Sequence, residues 1–530
     1  MSWRFFKKKS AFYPADRYSK EYIEEKLKVT GKYELSKIPT IFELLLTSSN
    51  ELKIRTAKVL QEYVLSLNIL ELSKLDHIFR NHTSLDWTHD WKNESPENLL
   101  MSDMTEAERI IILGLCSFHP NGYFREKALH LLNLHDSGNE FPYLLIRCND
   151  WVSEIRESAK KYVECRLTTK YVNHIVNNLP IVFKLKNTRR NDHSQMFEHV
   201  AHLLSQKESF PYLDQGTRSK SIKVRYFCYQ MIVYSKLYKK ELLFNYLKLE
   251  KEPHPRLLLF NELISDISVI EFNEYYPILK KDKFPMIRAR VLEKYHFFFP
   301  NESICELESA LVDKSYMIRS LVRFLLKKHN FTDFCSFYMR MINTKQSLRG
   351  AILGLGEVGK KDHAKEIIPF LAHNDVSIVK AAILALAMLD GKSYKGEFVW
   401  MLNHRHVGVS NAARRSLITL NYSDLKEQLY TIYKKTRYNH SKYNIALLLC
   451  SLAKWDAIIY IIEFYVNRED SNLTGLGRAY FDKWIEKFNR TFDSPTMIQI
   501  ESIKNTLAMY GSRLEKQDVR YIEFSIKGFQ

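Results

Sequence analysis

The sequence predicts an all-α solenoid of stacked helical hairpins, and three observations carry that prediction. First, a short phrase recurs about every 31 residues: an apolar residue, a basic residue, then a small or apolar residue three positions on. It reads Ile54-Arg55-Thr56-Ala57, Phe124-Arg125, Ile155-Arg156, Val224-Arg225, Ile287-Arg288, Ile318-Arg319, Leu348-Arg349 and Val379-Lys380-Ala381-Ala382. Arg125 to Arg156, Arg225 to Arg256, Arg288 to Arg319 and Arg349 to Lys380 are each 31 positions, a period that marks a repeat architecture. Second, each phrase sits near the start of an amphipathic helix. After Ile318, the residues Leu321, Val322 and Leu325 fall on one face of a 3.6-period helix. Third, only 16 Gly and 14 Pro occur in 530 residues, too few for long flexible linkers. Abundant Leu, Ile, Lys and Glu suit helices instead.

Taken in order, residues 1–39 read as an N-terminal cap, 40–469 as the repeat solenoid and 470–530 as a C-terminal helical cap over the last apolar face. Within a unit, two helices of roughly 11–13 residues and short turns fill the period, since a helix rises 1.5 Å per residue. At that period the array holds roughly 12–15 hairpins. Acidic residues stand six positions before the basic one: Asp150 before Arg156, Asp282 before Arg288, Asp313 before Arg319. Such a residue can cap the helix by accepting an orphan backbone N–H, and it can pair with the recurring Arg. The register slips twice, between Arg55 and Arg125 and between Arg156 and Arg225. Polar insertions are expected near 81–97 and 184–193, the second carrying Lys184, Lys186, Arg189 and Arg190.

The pattern Asp-x-x-x-x-apolar-Arg-x-x-Ala resembles the second helix of a HEAT repeat. The length near 31 is similar to the shorter HEAT-like units of phycobilisome lyases. The likeness covers most of 40–460 and is clearest over Gly350–Leu420. There Gly354–Gly359 with Asp362 are expected to form the inter-repeat turn, Ala364–Leu371 a first helix, Asn374-Asp375 the next turn and Val376–Leu389 a second helix. The resemblance implies an α-α superhelix of the HEAT-like or armadillo type, with second helices lining a concave surface that chiefly binds proteins.

Charge narrows the partner. With 79 Lys+Arg against 61 Asp+Glu the chain carries +18, which favours an acidic protein, nucleic acid or an anionic surface. A basic balance also arises with no anionic partner. Counting from the apolar residue of the phrase, positions +5 and +6 supply Lys160, Lys161, Arg323, Arg414 and Arg415. Stacked units would set these roughly 10 Å apart as a basic stripe on the concave face; a solvated charged face is the other reading. The recurring Arg itself reads as a structural ladder. Leu85-Asp86-Trp87-Thr88-His89-Asp90-Trp91 has the most unusual local composition. HEAT-like alkylpurine DNA glycosylases are similar in kind, using aromatic residues and an Asp beside developing positive charge. Here the residues crowd one loop, so Trp87 and Trp91 are expected either to pin an insertion or to form an interface loop.

Other chemistry is not expected. Gly354-Leu355-Gly356-Glu357-Val358-Gly359 matches GxGxxG, but it follows a helical pattern where a dinucleotide site needs a strand. His363, His373, His404 and His406 suggest a metal, and HEAT-like deoxyhypusine hydroxylases hold iron with His-Glu pairs; this chain has no His-Glu dipeptide. No metal and no cofactor are therefore expected. No GxSxG, HExxH or P-loop occurs. Seven Cys without a CxxC read as buried thiols of a reducing compartment. No run approaches the ~18 apolar residues of a membrane span, and the Trp3–Lys9 start lacks the apolar stretch of a secretory signal. The expectation is a cytoplasmic, non-catalytic scaffold that binds a macromolecule on its concave face. A protein is the first candidate partner; a nucleic acid in a basic groove, with or without glycosylase-like activity, is the alternative. Oligomeric state is not legible.

Overall fold

A computed structural model describes residues 14–28, 34–82, 91–188, 190–236, 238–486 and 493–529. Among them thirty α-helices and nine short 3-10 segments form, and no strand. The chain divides into two compact units, Met1–Glu274 and Tyr275–Gln530.

In the first unit, antiparallel neighbours pair as hairpins. Glu106–Cys116 packs on Gly122–Asn133, Phe141–Arg147 on Ser153–Glu164, and Lys240–Leu249 on Pro253–Ser265. In the second unit the same pairing joins Phe334–Asn343 to Leu348–Val358, Lys395–Leu402 to Val407–Ile418, Lys426–Lys435 to Asn439–Cys450, and Lys454–Tyr465 to Ser471–Glu486. Second helices also pack on one another. Leu348–Val358 lies against Val376–Asp390, which lies against Val407–Ile418, which lies against Asn439–Cys450. The chain is thus an all-α helical-repeat protein. Side chains such as Ser49, Asn121, Ser221 and Asp375 start helices by accepting a backbone N–H two or three residues on.

The boundaries differ from expectation in two places. Lys184 and Lys186 belong to the Val172–Lys186 helix, so the second interruption is shorter than 184–193. Arg189 lies outside the described residues. The expected helix at 364–371 is α-helical only over Ala364–Ile367 and tightens to 3-10 over Ile368–Ala372. Pro369 has no N–H to donate there.

The recurring Arg is the strut between neighbouring units. Arg125 donates Nη1 to the His119 and Pro120 carbonyls (2.9 and 2.7 Å), and Nε and Nη2 to Asp150 (3.1 and 2.9 Å). Arg225 repeats this with the Ser219 carbonyl (2.8 Å) and Glu250 (2.9 and 3.1 Å). Arg288 repeats it with the Asp282 carbonyl (2.7 Å) and Asp313 (3.2 and 2.8 Å). These three arginines each bond the carbonyl six residues back and fork onto the carboxylate 25 residues ahead; Arg156 bonds the Asp150 and Trp151 carbonyls (2.8 and 3.1 Å) with no carboxylate partner among the described residues, and Arg55 pairs with Glu24. The sequence suggests pairing within a unit; instead each carboxylate serves the Arg of the unit before it. The same carboxylates order the turn that leads into the next helix: Asp150 accepts from Val152 N–H (2.9 Å), Glu250 from Glu252 N–H (2.9 Å) and Asp313 from Ser315 N–H (2.7 Å).

Asp150 is the most enclosed of these acids, and it also accepts from Arg147 Nη1 (2.5 Å). Burial works to raise its pKa, but the charge of Arg147 and the hydrogen bond from Arg125 outweigh that and bring it down to about 2.

The glycine cluster is corrected. Gly354 and Gly356 are not turn residues; both lie inside the Leu348–Val358 helix, with Gly350, and only Gly359 follows its end. Gly138 is the positive-φ glycine among the described residues, so none of the cluster supplies a left-handed turn. Their role is close packing. A Cβ on Gly350 would stand 1.8 Å from the Val312 carbonyl oxygen, one on Gly354 2.2 Å from the Tyr338 ring, and one on Gly356 2.7 Å from the Ala385 Cα. Each glycine costs the helix about 0.5–1 kcal/mol against Ala, and the close approach offsets that.

Two outcomes test this account. Asp150→Asn leaves Arg125 in a buried site without its counterion, while Arg147 keeps Asp76, and urea denaturation is expected to show a loss of about 3–5 kcal/mol in the first unit. The pKa of Asp150 is depressed, so its contribution is complete above the ordinary carboxylate range, near pH 3.9, and disappears as pH falls through about 2. A variant as stable as wild type at neutral pH excludes the strut. Gly350→Ala meets backbone where nothing flexible can yield, and is expected to cost about 1–3 kcal/mol in place of the gain that Ala normally brings to a helix.

Candidate binding groove

The ladder ends in the second unit, and the cations it would have used come to the surface. After Arg319 the next carboxylate should stand near 344, but the chain has Asn343-Thr344. In the next two turns the position whose side chain accepts the N–H two residues on, held by Asp150 and Asp313 earlier, is His373 and His404. Arg319 keeps its bond to the Asp313 carbonyl (2.5 Å) and turns its fork to Glu357, 38 residues ahead. Arg349 and Lys380 have no such substitute. Both are exposed and form no ion pair or hydrogen bond with any described residue.

Arg323 was expected on the basic stripe; it is buried. Its Nη1 donates to Glu357 Oε2 (2.8 Å) and to the Tyr338 hydroxyl (3.1 Å). That hydroxyl donates in turn to the Leu311 carbonyl (3.1 Å). Burial pushes the Tyr338 phenol up, which keeps it a neutral donor. Glu357 therefore holds two arginines, Arg319 and Arg323, below the surface. The reason is geometric: the +5 side chain on this helix points toward the following hairpin, where Tyr338 and Glu357 receive it.

The other expected residues separate. Arg415 is exposed and has no partner among the described residues. Arg414 is half-buried and donates Nε to Asn444 Oδ1 (3.0 Å), tying two second helices together. Lys160 pairs with Glu157 (3.6 Å), while Lys161 is exposed. Trp91 is buried, 4.0 Å from the His119 ring and 5.0 Å from the Phe124 ring, as expected of a residue that pins the insertion. Trp87 lies outside the described residues. Arg190 stacks on Trp151 at 4.7 Å and donates to the Asn149 carbonyl (3.3 Å). The histidines turn out to be turn closures. His363, His373, His404 and His406 each accept a backbone N–H on Nδ1, from Lys360, Asp375, His406 and Gly408 at 2.9–3.0 Å.

Around Arg415 the second helices leave a groove of about 560 Å³. Its floor is Leu353, Leu384, Ala387 and Met388. Leu384 and Met388 are 40% and 50% exposed, unusual for residues within a packed helical layer. Its rim carries Lys314, Arg349 and Arg415, all without a partner among the described residues, and Tyr316, 64% exposed. The carboxylate in its wall is Glu357, already engaged by two arginines. An apolar floor with an uncompensated cationic rim suits an acidic segment with an aliphatic or aromatic anchor. Sequence reasoning missed Arg349, Leu384 and Met388. The legible signal was the missing carboxylate 25 residues after Arg349.

No known family's sequence model matches the chain, and no curated protein matches it. Among solved structures, the crystal structure of an engineered protein is similar over 89% of this chain and 98% of that chain, with 10% identity and a TM-score of 0.15. At that level the likeness carries no functional argument.

The two classes of cation separate by mutation. Glu357→Ala leaves two buried guanidiniums unpaired and is expected to lower stability by about 3–5 kcal/mol. Arg349→Ala, at an exposed unpaired site, is expected to change it by less than about 0.5 kcal/mol. Thermal or chemical denaturation of both variants checks the contrast, and a large loss for Arg349→Ala contradicts its assignment as a free rim residue.

Proposed function

We propose that this chain is a non-catalytic helical-repeat scaffold that grips an acidic segment of a partner protein in the groove between Lys314 and Thr419. The observation that supports this most directly is the pairing of an apolar floor, Leu384 and Met388, with a rim of unpaired cations, Lys314, Arg349 and Arg415. Phosphate backbones need only the cations; the floor adds a requirement for an apolar side chain, which a peptide meets. Burial of such an anchor provides affinity, and the rim sets sign and register. The HEAT-like phrase spacing agrees with this role, since arrays of that kind resemble protein-binding scaffolds, but the proposal stands on the groove.

Selection of a displayed random-peptide library on the immobilised full-length chain tests the reading. Peptides rich in Asp and Glu around a Leu, Ile or Phe are expected. Their affinity should fall by about tenfold or more in the Arg349→Glu, Arg415→Glu double variant and in Met388→Asp. Enrichment of basic or purely polar peptides, or affinity untouched by these substitutions, would falsify it. Salt-sensitive oligonucleotide binding that the same double variant abolishes would transfer the groove to nucleic acid.

A further inference from the structure

A second cluster lies away from that groove, on the turns between first and second helices. Trp400 ends the first helix Lys395–Leu402, and Arg405 sits in the turn after it. One hairpin later, Lys435 ends Lys426–Lys435, and Arg437 and Tyr438 occupy the corresponding turn. These five residues, with Met401, Asn403, His404 and Thr436, line a cavity of about 490 Å³. The lining holds three cations and no carboxylate. None of the three forms an ion pair with a described residue.

Trp400 is 68% exposed and makes no ring or cation contact with any described residue. An indole left open to water on a rigid edge is an unfilled stacking surface. Tyr438 is held differently. The Arg437 guanidinium lies 5.3 Å from its ring centre and donates to its hydroxyl (3.3 Å), and the His440 ring stacks beside it at 5.5 Å and 22°. His440 Nε2–H donates to the His404 carbonyl (3.0 Å), and Thr436 donates to Asn403 Oδ1 (2.6 Å). The two turns are therefore tied to each other before any ligand arrives. This edge is where earlier units carry carboxylates: the side chain that accepts the N–H two residues on is Asp150, Asp282 or Asp313 there, and His404 or Thr436 here. The change from acid to uncharged side chains at that register leaves Arg405, Lys435 and Arg437 with no carboxylate in the lining.

Each of two successive turns thus offers one aromatic ring and one arginine. A polymer of planar rings alternating with phosphates matches that pairing, one base on a ring and one phosphate on a guanidinium per turn. An acidic peptide would use the cations and leave the open indole unexplained. We infer that the Trp400–Arg405–Lys435–Arg437–Tyr438 cavity binds nucleobase-phosphate units, presented as single-stranded nucleic acid. The site is independent of the peptide groove, because it shares none of its residues.

The test is fluorescence anisotropy of the full-length chain with labelled single-stranded DNA and RNA oligonucleotides at about 50 and 200 mM salt. A mononucleotide and a phosphotyrosine peptide serve as competitors. Oligonucleotide binding at the lower salt is expected, weakened by about tenfold or more in Trp400→Ala and again in Arg437→Glu. Both substitutions are at surface positions, and circular dichroism confirms that the fold is kept. The Arg349→Glu, Arg415→Glu double variant should leave this binding in place, which separates failure of this site from failure of the groove. Equal competition by the mononucleotide keeps the site and assigns it to free nucleotides. No binding at the lower salt, binding indifferent to Trp400→Ala, or stronger competition by the phosphotyrosine peptide overturns the inference.

Discussion

The architecture depends on one interaction, the arginine that reaches in two directions at once. Its guanidinium has five donors in a flat fork. One nitrogen satisfies a carbonyl in the turn before its own helix, and the opposite edge grips the carboxylate that starts the next second helix. That carboxylate spends its remaining capacity on a backbone N–H in the turn that leads into that helix. Two backbone groups in successive turns are thereby satisfied by one ion pair. A lysine has one point charge and no fork, so it cannot span both partners. Where the position does become lysine, at Lys380, the strut is gone.

The lapse of the ladder gives the second unit its chemistry. The packing of its second helices does not weaken where the struts stop. Instead Gly350, Gly354 and Gly356 let the Leu348–Val358 helix close on its neighbours, so contact at van der Waals distance substitutes for ionic ties. Freed of its structural duty, the arginine position faces solvent beside Leu384 and Met388. The turn position that held carboxylates is His404 there, with Arg405 exposed beside it. One change of register content therefore accounts for a basic rim on the helices and a basic edge on the turns.

Much of this was legible in the sequence. The 31-residue phrase, the following apolar face and the acid six positions upstream together specify the hairpins and identify the arginine as structural. The direction of pairing was not legible, because positions −6 and +25 are the same residue type seen from neighbouring units. Glu357 as a replacement partner was hidden at a spacing of 38, outside the period. Arg323 and Arg415 hold nearly equivalent positions in the phrase, yet one is buried under Tyr338 and the other is free; only the neighbouring hairpin decides that. The glycines misled because sequence alone does not distinguish a helix-breaking glycine from one that admits a neighbour. Trp91 was legible as a pin for the polar insertion, and its ring packs in the core beside Phe124.

The double use of each carboxylate also governs how the first unit comes apart. A hairpin that opens takes its carboxylate with it, and the arginine of the previous hairpin is then left charged and half-enclosed with no counterion. Opening is thus penalised one hairpin upstream of where it begins. In a linear array this is directional coupling between nearest neighbours. Fraying that enters from the C-terminal side of a strut strips a buried charge of its partner, whereas fraying from the N-terminal side removes the arginine and leaves a carboxylate still bonded within its own turn. Two ends that look alike in packing therefore differ in how readily they unravel.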